Sequence, residues 1–192
     1  MKIAVYHNQP SGGARRALHE IGKRLASRHT LDVFTLSTAD EAFLSSKDFA
    51  RDVHVHPFAM RRPVRFGLYL NEFRQMWDLH DLDRAGREVA SRINAEGYDV
   101  ALVDACRFTQ SPAVLTYLRL PNLYYCHEPP RRFIHAAARP DAAPLSPYQR
   151  ARHAWHAPGR MLYDGAVRRD DRRNVASAST VLTNSEHTRG LI

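Results

Sequence analysis

No stretch of the 192 residues comes near the roughly 20 consecutive apolar residues that a membrane span needs, so none of them is expected to cross a membrane. The apolar run at Ile3–Tyr6 is also too short for a secretory signal and flows straight into a glycine turn. Cysteine is nearly absent. Cys106 and Cys126 are the whole complement, too few for a disulfide framework, and reduced thiols in a cytoplasmic protein are the expectation. Lysine is scarce as well, with only Lys2, Lys23 and Lys47, so the net charge of +8 is carried by arginine. Such a ratio fits GC-rich coding as readily as an anionic partner, and no nucleic-acid recognition motif accompanies it.

Several motifs are also missing. The glycines form neither G-x-G-x-x-G nor a G-x-x-x-x-G-K-[ST] loop, which removes the dinucleotide fingerprint and the P-loop. There is no G-x-S-x-G nucleophile elbow. His54 and His56 share one face of a short strand, but no third ligand stands at a recognisable spacing, so no metal site is expected.

What is present is alternation. Ile3–Tyr6, Leu31–Leu36, Val53–Phe58, Tyr98–Asp104, Leu123–Cys126 and Thr180–Thr183 are short apolar runs, several without polar alternation, as strands covered on both faces require. Between them lie helical stripes: Ala14, Leu18, Ile21 and Leu25; then Leu82, Ala85, Val89 and Ile93, closed by Gly97; then Val114, Leu115 and Leu118, opened by Ser111 and Pro112. The pattern predicts an α/β fold, a doubly wound and mostly parallel sheet with helices on both faces.

Two segments are less regular. Between Arg61 and Trp77, Phe66, Leu70, Phe73 and Trp77 form an aromatic stripe among arginines. Core packing is the commoner use of such a stripe, and a helix lying on an anionic membrane surface is the other. Residues 133–160 are rich in Ala, Pro, Arg and His and suggest a mobile insertion with one short helix near Tyr148–Trp155, ahead of a longer helix over Leu162–Ala178. The helix opened by Ser185 has barely begun at Ile192, which suggests the N-terminal part of something longer.

In a parallel sheet all strand C-termini share one edge, and ligands bind there, at the point where strand order reverses. The loops brought to that edge are Ser11-Gly12-Gly13, Asp104–Gln110, His127–Arg131 and Asn184-Ser185-Glu186. Gly12 and Gly13 let backbone approach a ligand at a helix N-terminus, and Arg15 adds charge there. His127 can exchange a proton near neutral pH, while Glu128 and Arg131 suit hydroxyl or phosphate groups.

The opening Lys2-Ile-Ala-Val-Tyr, the turn Ser11-Gly-Gly-Ala-Arg15, Tyr125-Cys-His-Glu-Pro-Pro-Arg131 and Val181-Leu-Thr-Asn-Ser-Glu-His-Thr-Arg189 follow in order and together resemble the N-terminal half of retaining glycosyltransferases of the GT-B fold, family 4. The resemblance implies two Rossmann-like domains across a cleft, of which residues 1–192 are the acceptor-binding one. It also implies a nucleotide-sugar donor, a sugar acceptor and no metal cofactor. Gly12 and Gly13 would lie against donor phosphates or acceptor. His127 would match the family histidine near the reacting carbon, and Asn184, Ser185 and Glu186 would line the cleft. The family's C-terminal pair of glutamates is missing with its domain, as is a final strand after Arg189. The expectation is therefore a chain inactive alone, cytoplasmic or peripheral on the inner membrane face. The other reading is a non-catalytic module that binds an anionic ligand or membrane surface.

Overall fold

The computed structural model describes residues 1–62, 70–128 and 146–190. Six strands, β1 (Lys2–Asn8), β2 (Thr30–Leu36), β3 (Asp52–His56), β4 (Val100–Cys106), β5 (Asn122–Cys126) and β6 (Thr180–Thr183), form one sheet in the order β3-β2-β1-β4-β5-β6. Every pairing is parallel. The order reverses between β1 and β4, so the two loops that leave those strands diverge and open a crevice. The predicted doubly wound sheet is the observed one.

Helix α1 (Gly13–Ala26) packs on one face, where Leu18 meets Ile3, Val5, Leu31 and Val33. Phe49, just after a 3-10 turn at Ser46–Asp48, completes that layer. On the other face lie α2 (Leu70–Ala95), α3 (Val114–Tyr117) and α4 (Pro147–Ala176), with Leu82, Val89 and Ile93 of α2 against Ala4, Phe34, Val103 and Tyr124. A short α5 (Glu186–Arg189) follows β6. Each fully buried aliphatic side chain contributes roughly 1.5–3 kcal/mol by leaving water, and both faces supply several.

Helix α2 is one continuous element where the pattern suggested two stripes. From Trp77 to Leu82 is five residues, so the stripe of Leu70, Phe73 and Trp77 lies about 135° around the helix from that of Leu82, Ala85, Val89 and Ile93. Only the second faces the sheet. Phe73 and Trp77 are exposed, which overturns the core reading for them; Phe66 lies outside the described residues.

Helix α4 likewise merges the two helices expected around Tyr148–Trp155 and Leu162–Ala178 and carries Pro158 inside it. A proline removes one helical hydrogen bond and mimics a break in sequence, but Ala151, Ala154 and Ala157 before it and Arg160, Met161 and Leu162 after it favour helix. The expected insertion therefore holds ordered helix from Pro147 onward, and residues 133–145 lie outside the described part. Ser111, expected to cap a helix, is instead buried: its Oγ donates to Asp171 on α4, and its carbonyl accepts from Asn174 at 3.1 Å. The residue before α3 is Ala113, with no side-chain cap.

Candidate functional site

Three neighbouring strands each deliver one polar side chain to the crevice. Gln9 follows β1, Asp104 lies near the end of β4, and His127 follows β5. Asp104 is buried, and its Oδ1 accepts from Gln9 Nε2 at 2.5 Å, from His127 Nε2 at 2.9 Å and from its neighbour's N–H, that of Ala105, at 2.6 Å. With a carboxylate as its only polar partner, Nε2 must carry the hydrogen. In the neutral ring Nδ1 then keeps its lone pair, and it has no hydrogen bond among the described residues. The ring of Tyr125, two residues back on the same strand face, lies 4.2 Å from the imidazole centroid to centroid and backs it.

Two buried acceptors in this cluster are left without a partner, Asp104 Oδ2 and Gln9 Oε1. Unsatisfied buried acceptors cost about 1–3 kcal/mol each, so this cluster is held at some expense of stability. Around them the loops are tied together. Gln110, at a positive φ of 67°, closes a tight turn back to Cys106, and its Nε2 donates to the Glu128 carbonyl at 3.1 Å. Asn8 joins the β1 end to Cys106 at 3.6 Å. Burial pushes the Cys126 thiol up, so it stays protonated beside His127 and is no nucleophile.

The glycine turn stands open. Gly12 has φ 153°, a conformation that side-chain-bearing residues rarely adopt, and precedes α1 without a side-chain cap or an acidic residue in the first turn. No atom lies within 4 Å of where a Cβ on Gly12 or Gly13 would sit. The turn therefore offers exposed backbone N–H groups at the positive end of a four-turn helix.

Arg15 is not part of that opening. It falls on the buried face of α1 with Leu18, His19 and Gly22, at i, i+3, i+4 and i+7, not among the solvent-facing arginines. Its guanidinium donates to Glu41 at 2.8 Å and to Ser46 Oγ at 3.1 Å, and His7 Nε2 lies 2.8 Å from the guanidinium and 3.0 Å from Glu41. Burial pushes the Glu41 carboxyl up, but His7, the Ser46 N–H and Arg15 together outweigh it and hold Glu41 at about 2. Burial, with the Arg15 charge, pushes His7 below its ordinary value while Glu41 opposes. This cluster pins the loop after β2 against the foot of α1 and thereby fixes the glycine turn.

Of the other expected site residues, Glu128 is half-buried beside His127, and Arg131 lies outside the described residues. Asn184, Ser185 and Glu186 are exposed at the end of β6, whose Thr183 pairs with Cys126, so they flank the His127 loop along the same edge. Ser185 caps α5 by accepting from the Thr188 N–H at 3.2 Å. His54 stacks on Phe34 at 4.6 Å and His56 pairs with Glu88 at 3.2 Å, which gives both structural partners. Asp104 and Gln9 were not singled out from sequence. A carboxylate closing an apolar strand was the available signal for Asp104, and Gln9 gave none.

A Rossmann-like α/β domain with its polar cluster at the strand-order reversal is the class that fold and site define. By sequence, the chain matches no protein-family model and no curated protein. Among solved structures it is similar to UGT89C1 of Arabidopsis thaliana, crystallised with UDP, at 12% identity and a TM-score of 0.50, over 96% of this chain and 42% of that one. It is also similar to the glycotransferase of kitacinnamycin, at 15% identity and a TM-score of 0.42, over 82% of this chain and 40% of that one. The chain thus spans less than half the length of either. What the first likeness shows is the fold, the Rossmann-like fold of GT-B glycosyltransferases.

Proposed function

We propose that this chain is the acceptor-side half of a glycosyltransferase that moves a sugar from a nucleotide-sugar to an acceptor hydroxyl. The observation that carries the proposal is the Gln9–Asp104–His127 cluster at the strand-order reversal, next to an open helix N-terminus suited to phosphate. A neighbour of the same fold was crystallised with UDP, which supports a nucleotide diphosphate as the leaving group. Gly12 and Gly13 would receive phosphate or acceptor, with Glu128, Asn184, Ser185 and Glu186 along the cleft. The resemblance to family 4 favours retention of anomeric configuration, with the departing diphosphate taking the acceptor proton and His127 stabilising developing positive charge on the sugar. A second domain with the paired glutamates would hold the donor.

One observation favours a second course of reaction. Asp104 fixes His127 in the tautomer whose Nδ1 can accept a proton. The acceptor oxygen then attacks the anomeric carbon, its proton passes to Nδ1, and the bond to the diphosphate breaks from the opposite side, with inversion. NMR of the first-formed product of the protein carrying this chain separates the courses by anomeric configuration. Absence of transfer from every nucleotide-sugar supplied, in a protein whose coding sequence holds no second α/β domain past Ile192, overturns both. It would leave the chain a binding module for an anionic ligand.

A further inference from the structure

Gln110 stands in a conformation that most side chains avoid, since its φ of 67° lies in the left-handed region. Two hydrogen bonds hold its backbone there. Its N–H donates to the Cys106 carbonyl at 2.9 Å, and the Cys106 N–H donates back to the Gln110 carbonyl at 2.8 Å. The next residue, Ser111, is buried and bound to Asp171 and Asn174 of α4. With both sides of the turn pinned, the strain at Gln110 persists. Glycine would take the same turn at no steric cost, and asparagine at little. What neither offers is an amide at the end of two methylene groups.

That amide reaches the neighbouring loop, where Gln110 Nε2 donates to the Glu128 carbonyl at 3.1 Å. The acceptor is a carbonyl, so the nitrogen of the amide must be the atom that faces it. Glu128 follows His127 directly, beyond the reach of the strand ladders. Pairing of β5 with β4 ends at Tyr125 and Asp104, and pairing with β6 ends at Cys126 and Thr183. Pro129 and Pro130 come next and have no N–H to give. The Cys126 thiol also donates to the Glu128 carbonyl, at 3.5 Å, but it belongs to β5 itself. Of these two donors, Gln110 is the one that ties the peptide after His127 to the β4 side, which carries Asp104.

The segment from Asp104 to Gln110 thus grips the His127 loop at both of its own ends. Its first residue accepts from His127 Nε2 at 2.9 Å, and its last holds the carbonyl one residue further on. The imidazole is then fixed from before by β5 and from after by the Gln110 amide. We propose that Gln110 is a positioning residue for His127: its amide, carried on a strained turn, holds the peptide after His127 so that the ring stays on Asp104. Its service to sugar transfer rests on the function proposed above; the positioning itself does not.

Gln110→Asn and Gln110→Gly test this in the protein carrying this chain, because both residues suit the turn and neither reaches Glu128. Their thermal midpoints should lie within about 3 °C of the parent or above it. Proton NMR then reads the His127 Nε2–H directly, its resonance assigned by loss in His127→Ala. In the parent that hydrogen should be protected by its bond to Asp104, and in both variants it should exchange with solvent roughly tenfold faster or more. Where the protein transfers sugar, kcat should fall by roughly 10–100-fold with KM within about threefold, as displacement of a reacting group by about an ångström does. Unchanged Nε2–H exchange in both folded variants overturns the proposal, whatever the activity. So does an Nε2–H that is unprotected in the parent. Faster exchange in a protein that transfers no sugar upholds the positioning role and counts against the proposed reaction alone.

Discussion

Asp104 accepts a hydrogen bond from His127 across two neighbouring parallel strands, at 2.9 Å, with the carboxylate buried and the imidazole 12% exposed. The two residues are 23 apart in sequence, and the register that sets Asp104 beside Tyr125 brings them together. A histidine held this way has one nitrogen committed and the other available.

In the protein carrying this chain, His127→Ala is expected to lower sugar-transfer turnover by about 10²–10⁴, the usual weight of one positioned proton-transfer or electrostatic group. Asp104→Asn should lower it too, because the amide no longer dictates the tautomer or balances the charge of a protonated ring. Circular dichroism and the thermal midpoint should show both variants folded. Turnover within a few-fold of the parent for His127→Ala removes that residue from the site.

The two glycines should part company. Gly12→Ala forces a side chain onto a φ of 153° and is expected to cost about 1–3 kcal/mol of stability. Gly13→Ala meets nothing within 4 Å in the free protein, so its thermal midpoint should be unchanged or slightly higher. Its affinity for a nucleotide diphosphate should nonetheless fall, because the methyl group occupies the space a phosphate would use. Calorimetric titration with UDP checks this, and equal affinity in parent and Gly13→Ala would argue that the turn does not hold the phosphates.

Acid should loosen the loop after β2. Glu41 has a folded value of about 2 against an ordinary 4.5, so its stabilisation is complete above about pH 4.5 and disappears as pH falls toward 2. The difference corresponds to roughly 3 kcal/mol at neutral pH. His7, also lowered from its ordinary 6.5, acts in the same direction, stabilising the neutral form above that value and opposing folding as pH falls. Urea unfolding of Glu41→Gln should show a loss of about 3 kcal/mol at neutral pH, since Arg15 stays buried without its counter-charge. The gap between variant and parent should narrow by about pH 3. A gap independent of pH would mean that Glu41 acts by shape alone.

Gly86→Ala should destabilise by about 1–3 kcal/mol, because the added Cβ would lie 2.9 Å from the Val114 backbone nitrogen and 3.0 Å from Ala113 Cβ. The opposing atoms are mostly backbone, so α3 itself would have to move. Gly22→Ala meets the flexible Phe49 ring at 2.6 Å and should cost less. Thermal melts of the two variants side by side test that order.

The strands were legible because both faces of this sheet are covered. Ala4, Val5, Val33, Ala101 and Val103 are fully buried, and residues placed so must be apolar whichever way they point. His127 was legible because an ionisable residue between a buried strand and two prolines has few structural reasons to be there. The edge that gathers the loops followed from parallel topology alone. Helix faces were harder to read. Two apolar stripes out of phase on α2 looked like separate helices, and Pro158 looked like an end.

The sequence by itself determined the alternation of strands and helices, the parallel sheet and the loops gathered at the C-terminal edge of its strands, because these follow from local burial and chain connectivity. Only the tertiary structure decided which polar residues meet there. Asp104 and Gln9 joined His127 because the register of β1, β4 and β5 set their ends side by side, at separations of 95 and 23 residues that no local pattern encodes. The same packing drew Arg15 inward to Glu41 and left Trp77 and Trp155 in solvent, because the neighbouring elements, and not the side chains themselves, settle which helix face finds a partner.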